Sequence, residues 1–178
     1  MIIITEGGRR AAFRTDEASA AYVGVHAARC ERSASPSLGR AVRAVVELSR
    51  AFGGMTVRAL LGAEFSPDPQ GSLTVFEVPF GEAMGLGAVA GCASELGRPL
   101  VAGLPRDFAD AALEGLAGAP AVGALPAGLM RVDRAGFDEA GSSEMAFKLA
   151  GDLLRCVVDA LLHDRDPLTA AQAMVRAW

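Results

Sequence analysis

The stretch from Ser142 to His163 constrains the fold most. Met145, Leu149, Leu153, Val157 and Leu161 recur every four residues, with Ala146 and Ala150 beside them. Apolar residues at this spacing line one side of an α-helix, and such a stripe has to be buried against another layer. Ser142 and Ser143 offer hydroxyls to the free amides at the start, Glu144 complements the helix dipole, and Asp166-Pro167 breaks the pattern. A second helix is expected from Pro105, which suits a first helical position. Asp107 and Asp110 lie near its positive end, Phe108, Ala111, Ala112, Leu113 and Leu116 form its apolar side, and Gly118-Ala119-Pro120 ends it. A short helix over 168–178 aligns Leu168, Ala171, Val175 and Trp178.

The rest reads as strands, with one further helix. Ile2 to Thr5 is β-branched, Gly7-Gly8 turns the chain, and Arg10 to Phe13 returns as a partner strand. Ser37 is a plausible N-cap for a helix over 38–52, with Leu38, Val42, Val45, Val46 and Leu48 as its stripe. Arg40, Arg43, Glu47 and Arg50 lie mostly opposite, and Gly53-Gly54 ends it. Met55 to Phe65 and Leu73 to Phe80 are two strands flanking a turn-like Ser66–Ser72, which predicts a β-hairpin. Leu129 to Val132 is a strand and 134–137 a turn. Residues 81–103 give no clear period; Gly85, Gly87 and Gly91 lack the spacing of a phosphate-binding loop. The mixed order, ending strand–helix–strand–helix, predicts an α+β domain with helices on one face of a sheet.

The chain has 178 residues, 51% apolar and 21% charged, an ordinary globular balance for one domain. Its net charge of −4 is uneven. Residues 1–60 carry nine arginines and five acids, a balance of +4, and the remainder carries −8. An arginine-rich first third can face phosphate, so Arg29, Arg32, Arg40, Arg43 and Arg50 are candidate contacts to RNA or a partner. With one Trp and one Tyr, the chain offers no row of rings on which single-stranded bases stack. Cys30, Cys92 and Cys156 are odd in number and far apart, with no zinc spacing. No apolar run approaches the ~20 residues of a membrane span. A cytoplasmic protein without metal or cofactor is expected.

Gly141-Ser142-Ser143-Glu144-Met145-Ala146-Phe147-Lys148-Leu149-Ala150-Gly151 resembles the segment opening the last helix of domain IV in translation elongation factor G, Asp-Ser-Ser-Glu-Met-Ala-Phe-Lys-Ile-Ala-Gly. Ten of the eleven positions fit with at most a Leu-for-Ile exchange. Upstream, Pro105-Arg106-Asp107-Phe108, followed by Ala111 and Gly115-Leu116, is similar to the family's Pro-Lys-Glu-Tyr helix. The resemblance covers about residues 100–165. It divides the chain into a divergent half, 1–99, a family-like half, 100–165, and a C-terminal helix, 166–178.

The resemblance implies the ribosomal protein S5 domain 2-like fold: a left-handed βαβ unit on a sheet of about four strands, here with an N-terminal elaboration. It also implies a module that acts in translation on the ribosome. The family's Gly-rich tip with a nearby His is not found, and His26 and His163 lie in other contexts. No P-loop pattern occurs, so GTP hydrolysis by that route is not expected.

Two functions follow as expectations. One is a ribosome- or factor-binding module related to that domain. The other is an enzyme or small-molecule binder that reuses the fold. For the second, the candidate chemical residues are Tyr22, His26, Cys30, Glu64 and Glu77. Residues 20–29 satisfy both strand and helix, and the spacing of four puts Tyr22, His26 and Cys30 on one side in either case, so the three can converge. Glu77, inside an alternating strand, is expected at the solvent face; burial would raise its pKa and make it an acid–base group. Pairing with itself or with another chain through the last helix, with Trp178 as anchor, is a third expectation.

Overall fold

The computed structural model describes residues 1–15, 24–37, 39–81, 91–118 and 123–178. Its elements run β1 (Ile2–Glu6), β2 (Arg9–Arg14), β3 (His26–Ser33), β4 (Val42–Phe52), β5 (Met55–Pro67), β6 (Leu73–Phe80), β7 (Gly91–Cys92), β8 (Leu100–Ala102), α1 (Arg106–Ala117), β9 (Gly128–Phe137), α2 (Glu144–Leu162) and α3 (Pro167–Ala177). The strands join in one nine-stranded sheet with the order β1-β2-β4-β5-β9-β6-β3, and β7 and β8 attach beside β9. The class is α+β, as expected, but the sheet is far wider than about four strands.

The largest correction is β4. The expected helix over 38–52 is an eleven-residue strand that pairs β2 on one side and β5 on the other. Val42, Ala44, Val46 and Leu48 face the main core, while Val45, Glu47 and Ser49 are buried on the opposite side. A strand covered on both faces reads as a nearly continuous apolar run. Gly53 and Gly54 do not end a helix. They form a two-residue hairpin turn with φ of +57° and +84°, both positive as such turns require. Ser37 caps no helix and instead bonds the Ser35 hydroxyl at 2.6 Å. Leu38 lies outside the described residues, as do Tyr22, Gly85 and Gly87.

The expected β5–β6 hairpin is also corrected, because β9 lies between these strands. It pairs antiparallel with β5 and parallel with β6. Residues 134–137 are not a turn but the end of β9. The strand continues because Gly136 lets β7 and β8 close in: a Cβ there would stand 3.1 Å from the Leu100 Cβ and 3.2 Å from that of Cys92.

The β1–β2 hairpin and all three helices agree with the sequence reading. α2 lies over β4 and β5, α1 over β6 and β3, and α3 against β1 and β2. The main core fills the space between this layer and the sheet, with Phe65, Phe76, Phe147, Leu61, Met130 and Leu153 fully buried. Pro105 precedes α1 as its cap residue rather than opening it. Ser143 caps α2 by accepting from the Ala146 amide at 3.2 Å. Asp166 caps α3, accepting from the Leu168 and Thr169 amides at 3.1 and 3.0 Å.

Candidate functional site

The sheet face turned away from the helices carries the most organised polar chemistry. Side chains alternate between the two faces of a strand, so residues directly paired across strands share a face. Register joins Arg43 of β4 to Glu64 of β5, Glu64 to Arg131 of β9, Arg131 to Glu77 of β6, and Glu77 to Arg29 of β3. One charged residue from each of five strands stands in a single row, and the signs alternate along it. Arg131 Nε lies 3.0 Å from Glu77 Oε1. Arg43 pairs with Asp133, which β9 presents where its register with β5 shifts. Arg29 leans towards Glu31 at 3.8 Å. Opposite charges across strands contribute roughly 0.2–1 kcal/mol per pair. The Arg131 and Arg29 side chains are 60% and 58% exposed, so solvent screening keeps their pairs at the weak end.

Beside the charged row stands an apolar one. Val75 pairs with Leu129, and Leu73, 42% exposed, follows on β6. They floor a cleft of about 570 Å³, walled by Arg29, Glu77 and Asp68.

Further along, the same face is sealed. Val45, Leu60, Cys92 and Leu100 form a second, smaller core beneath β7 and β8. Within it Arg58 and Glu47, both almost fully buried, meet at 3.2 Å. Arg58 also donates to the Ser94 hydroxyl at 2.6 Å and to the Arg98 carbonyl at 2.8 Å. Glu47 accepts from the Ser94 hydroxyl at 2.6 Å and from the Glu95 amide at 2.7 Å. The pair therefore ties residues 94–98 down onto the sheet. Burial, helped by the nearby Glu47 charge, raises the pKa of the Cys92 thiol. From its sequence Glu47 is expected on the polar side of a helix, and Arg58 has no expected role. The only available signal was a lone charge inside each of two apolar runs.

The candidate residues fall into separate places. His26 and Cys30 share a face of β3, but four residues of strand separate them by about 13 Å, so they do not converge. The exposed His26 ring lies against Phe80, with centroids 5.6 Å apart, and Cys30 packs at the edge of the main core. Glu77 stands on the outer face, as its alternation predicted, and Glu64 is exposed beside it in the row.

The five arginines do not form one surface, because β4 is a strand. Arg29 and Arg43 join the charged row. Arg32 Nε donates to the Ala117 carbonyl at 3.1 Å, and Arg40 Nη2 to the Leu161 carbonyl at 2.5 Å, so these two sit at the C-terminal ends of α1 and α2. Arg50 stands opposite Arg9, at the other end of β4. Of the Ser142-Ser143-Glu144 trio, Ser143 alone caps the helix. The Ser142 hydroxyl donates to the Arg58 carbonyl at 2.6 Å and accepts from the Asp138 amide at 2.9 Å, and Glu144 is exposed in the first turn.

Among the described residues no three His, Cys, Asp or Glu side chains gather to hold a metal, and no helix is long and apolar enough to cross a membrane. In comparisons with known proteins, no family model matches the chain and no curated protein matches it.

Proposed function

We propose that the chain is a translation-associated module related to domain IV of elongation factor G, with an S5 domain 2-like fold at its centre. It would dock on the ribosome or on a factor bound there, without GTPase activity of its own. One contact supports the reading above all. The two segments that resemble the family lie far apart in sequence, yet Phe108 of the first stacks on Phe147 of the second, with centroids 4.8 Å apart. Around that contact, β6, α1 and β9 form a strand–helix–strand unit with parallel strands, and α2 packs along α1. The two resembling segments thus pack against each other, as the reading requires.

Arg32 and Arg40, near the C-terminal ends of α1 and α2, stand away from the charged row, and phosphate would compete there with Asp164, which lies 2.7 Å from Arg40. The test is co-sedimentation with ribosomes at low and raised salt. Binding is expected at low salt and should weaken steeply as counterions compete. Arg32→Glu with Arg40→Glu should reduce it at least tenfold. A protein that stays in the supernatant at low salt ends this reading.

A further inference from the structure

We infer that the open sheet face is a docking surface for a second copy of this chain. Across β5, β9, β6 and β3 the row reads Glu64, Arg131, Glu77, Arg29, that is minus, plus, minus, plus. Such a row is its own complement when reversed. Two copies placed face to face, related by a two-fold axis parallel to the strands and midway between β9 and β6, reverse each row against itself. Glu64 then meets Arg29 of the second copy and Arg131 meets its Glu77, each contact occurring twice, as a two-fold interface demands.

The same axis brings the neighbouring apolar row of these two strands together. There Leu129 and Val75 stand on β9 and β6, one on each side of the axis, so each Leu129 meets a Val75.

The surroundings fit. The helices cover the opposite face, and among the described residues β7 and β8 seal the β4–β5–β9 end. That leaves Leu73 and the Arg29 and Arg131 side chains open to solvent. Glu64 and Arg29 of one chain are about three strand spacings, or roughly 14 Å, apart, so they do not pair within one copy; there Glu64 lies between Arg43 and Arg131, and Arg29 lies beside Glu77 and Glu31. Paired sheets about 10 Å apart, with strands nearly aligned, leave room for interdigitating Arg and Glu side chains.

The experiment is sedimentation velocity on the full chain across a micromolar concentration series at low salt. A dimer that dissociates on dilution and weakens with salt is expected. Glu64→Arg puts like charges at both 64–29 contacts, and so does Arg29→Glu; each variant alone should be monomeric at concentrations where the wild type pairs. An equimolar mixture of the two should dimerise again, because every 64–29 contact in the mixed pair joins opposite charges. Circular dichroism on each variant shows whether it is folded. Should a reversal not fold, the double variant Glu64→Arg/Arg29→Glu and the milder Glu64→Gln carry the test: the double variant should pair and the Gln variant should pair more weakly. A wild type that is monomeric throughout overturns the inference. So does a dimer indifferent to these charges, a mixture that stays monomeric, or a gain in mass seen only with added RNA.

Discussion

Gly115 of α1 and Gly151 of α2 face each other where the two helices touch. A Cβ on Gly115 would stand 2.2 Å from the Lys148 carbonyl oxygen, and one on Gly151 would stand 2.5 Å from that of Ala112. Backbone lies against backbone there, with no side chain able to swing aside. Gly115→Ala and Gly151→Ala should each destabilise the fold by about 1–3 kcal/mol, the usual cost of overpacking. Gly123→Ala, with nothing within 4 Å of its Cβ, should leave the urea midpoint unchanged.

The Glu47–Arg58 pair gives a second prediction. Both groups are shielded from water and share Ser94 as a partner. Glu47→Gln leaves Arg58 buried with Asp138, 3.5 Å away, as its remaining carboxylate partner, so the cost approaches but does not exceed the roughly 3–5 kcal/mol of an uncompensated buried charge. Glu47→Gln should therefore lower stability strongly in urea titration. It should also speed amide exchange over residues 91–102, which the pair holds against the sheet.

Ser142 and Ser143 are adjacent but should fail differently. Ser143→Ala removes the α2 cap and should cost about 1 kcal/mol. Ser142→Ala cuts the link between Asp138 and the β5 backbone. Amide exchange should locate the first effect at the start of α2 and the second at the Asp138–Gly141 turn.

The three free cysteines should separate by reactivity. Burial raises the thiol pKa of Cys92 and of Cys156, with Glu47 and Asp159 respectively adding to the effect. Fewer thiolates and less access both slow alkylation. Native protein treated with iodoacetamide should acquire one adduct, on half-buried Cys30, well before the other two. Denatured protein should acquire all three together, as read by mass spectrometry.

Asp166 should make α3 sensitive to acid. The Thr169 hydroxyl, then the Thr169 and Leu168 amides, hold its carboxyl below its ordinary pKa. A depressed folded value means that the contribution is complete above the unfolded value, about 3.9, and is lost as pH falls through the folded one. Trp178 fluorescence, from the single Trp at the end of this helix, should report α3 loosening below about pH 4. Asp166→Asn keeps an acceptor for the amides and should remove that pH dependence.

The legible parts of this fold were local ones. The α2 stripe, the Asp166-Pro167 break and the Gly7-Gly8 hairpin each carry their signal within a few residues. β4 misled because Leu38, Val42, Val45, Val46 and Leu48 fit a helical stripe. On a strand covered from both sides they need no alternation. The charged row was illegible for a different reason. Glu64, Glu77, Arg29 and Arg43 were singled out for two unrelated roles. What unites them is a register through Arg131, which comes more than fifty residues after Glu77 and which no local pattern marks.

The central position of β9 carries a consequence for synthesis. Without Gly128–Phe137, β1-β2-β4-β5 and β6-β3 become separate pieces with no strand pairing between them among the described residues, and the short β7–β8 pair comes away from both. As the chain leaves the ribosome from its N-terminus, both pieces emerge with an unpaired inner edge and an uncovered apolar face. They wait for β9 to fill the gap and for α2 to cover it. The nascent protein is therefore most exposed to wrong strand partners, and most dependent on chaperones, while residues 81–127 are being made.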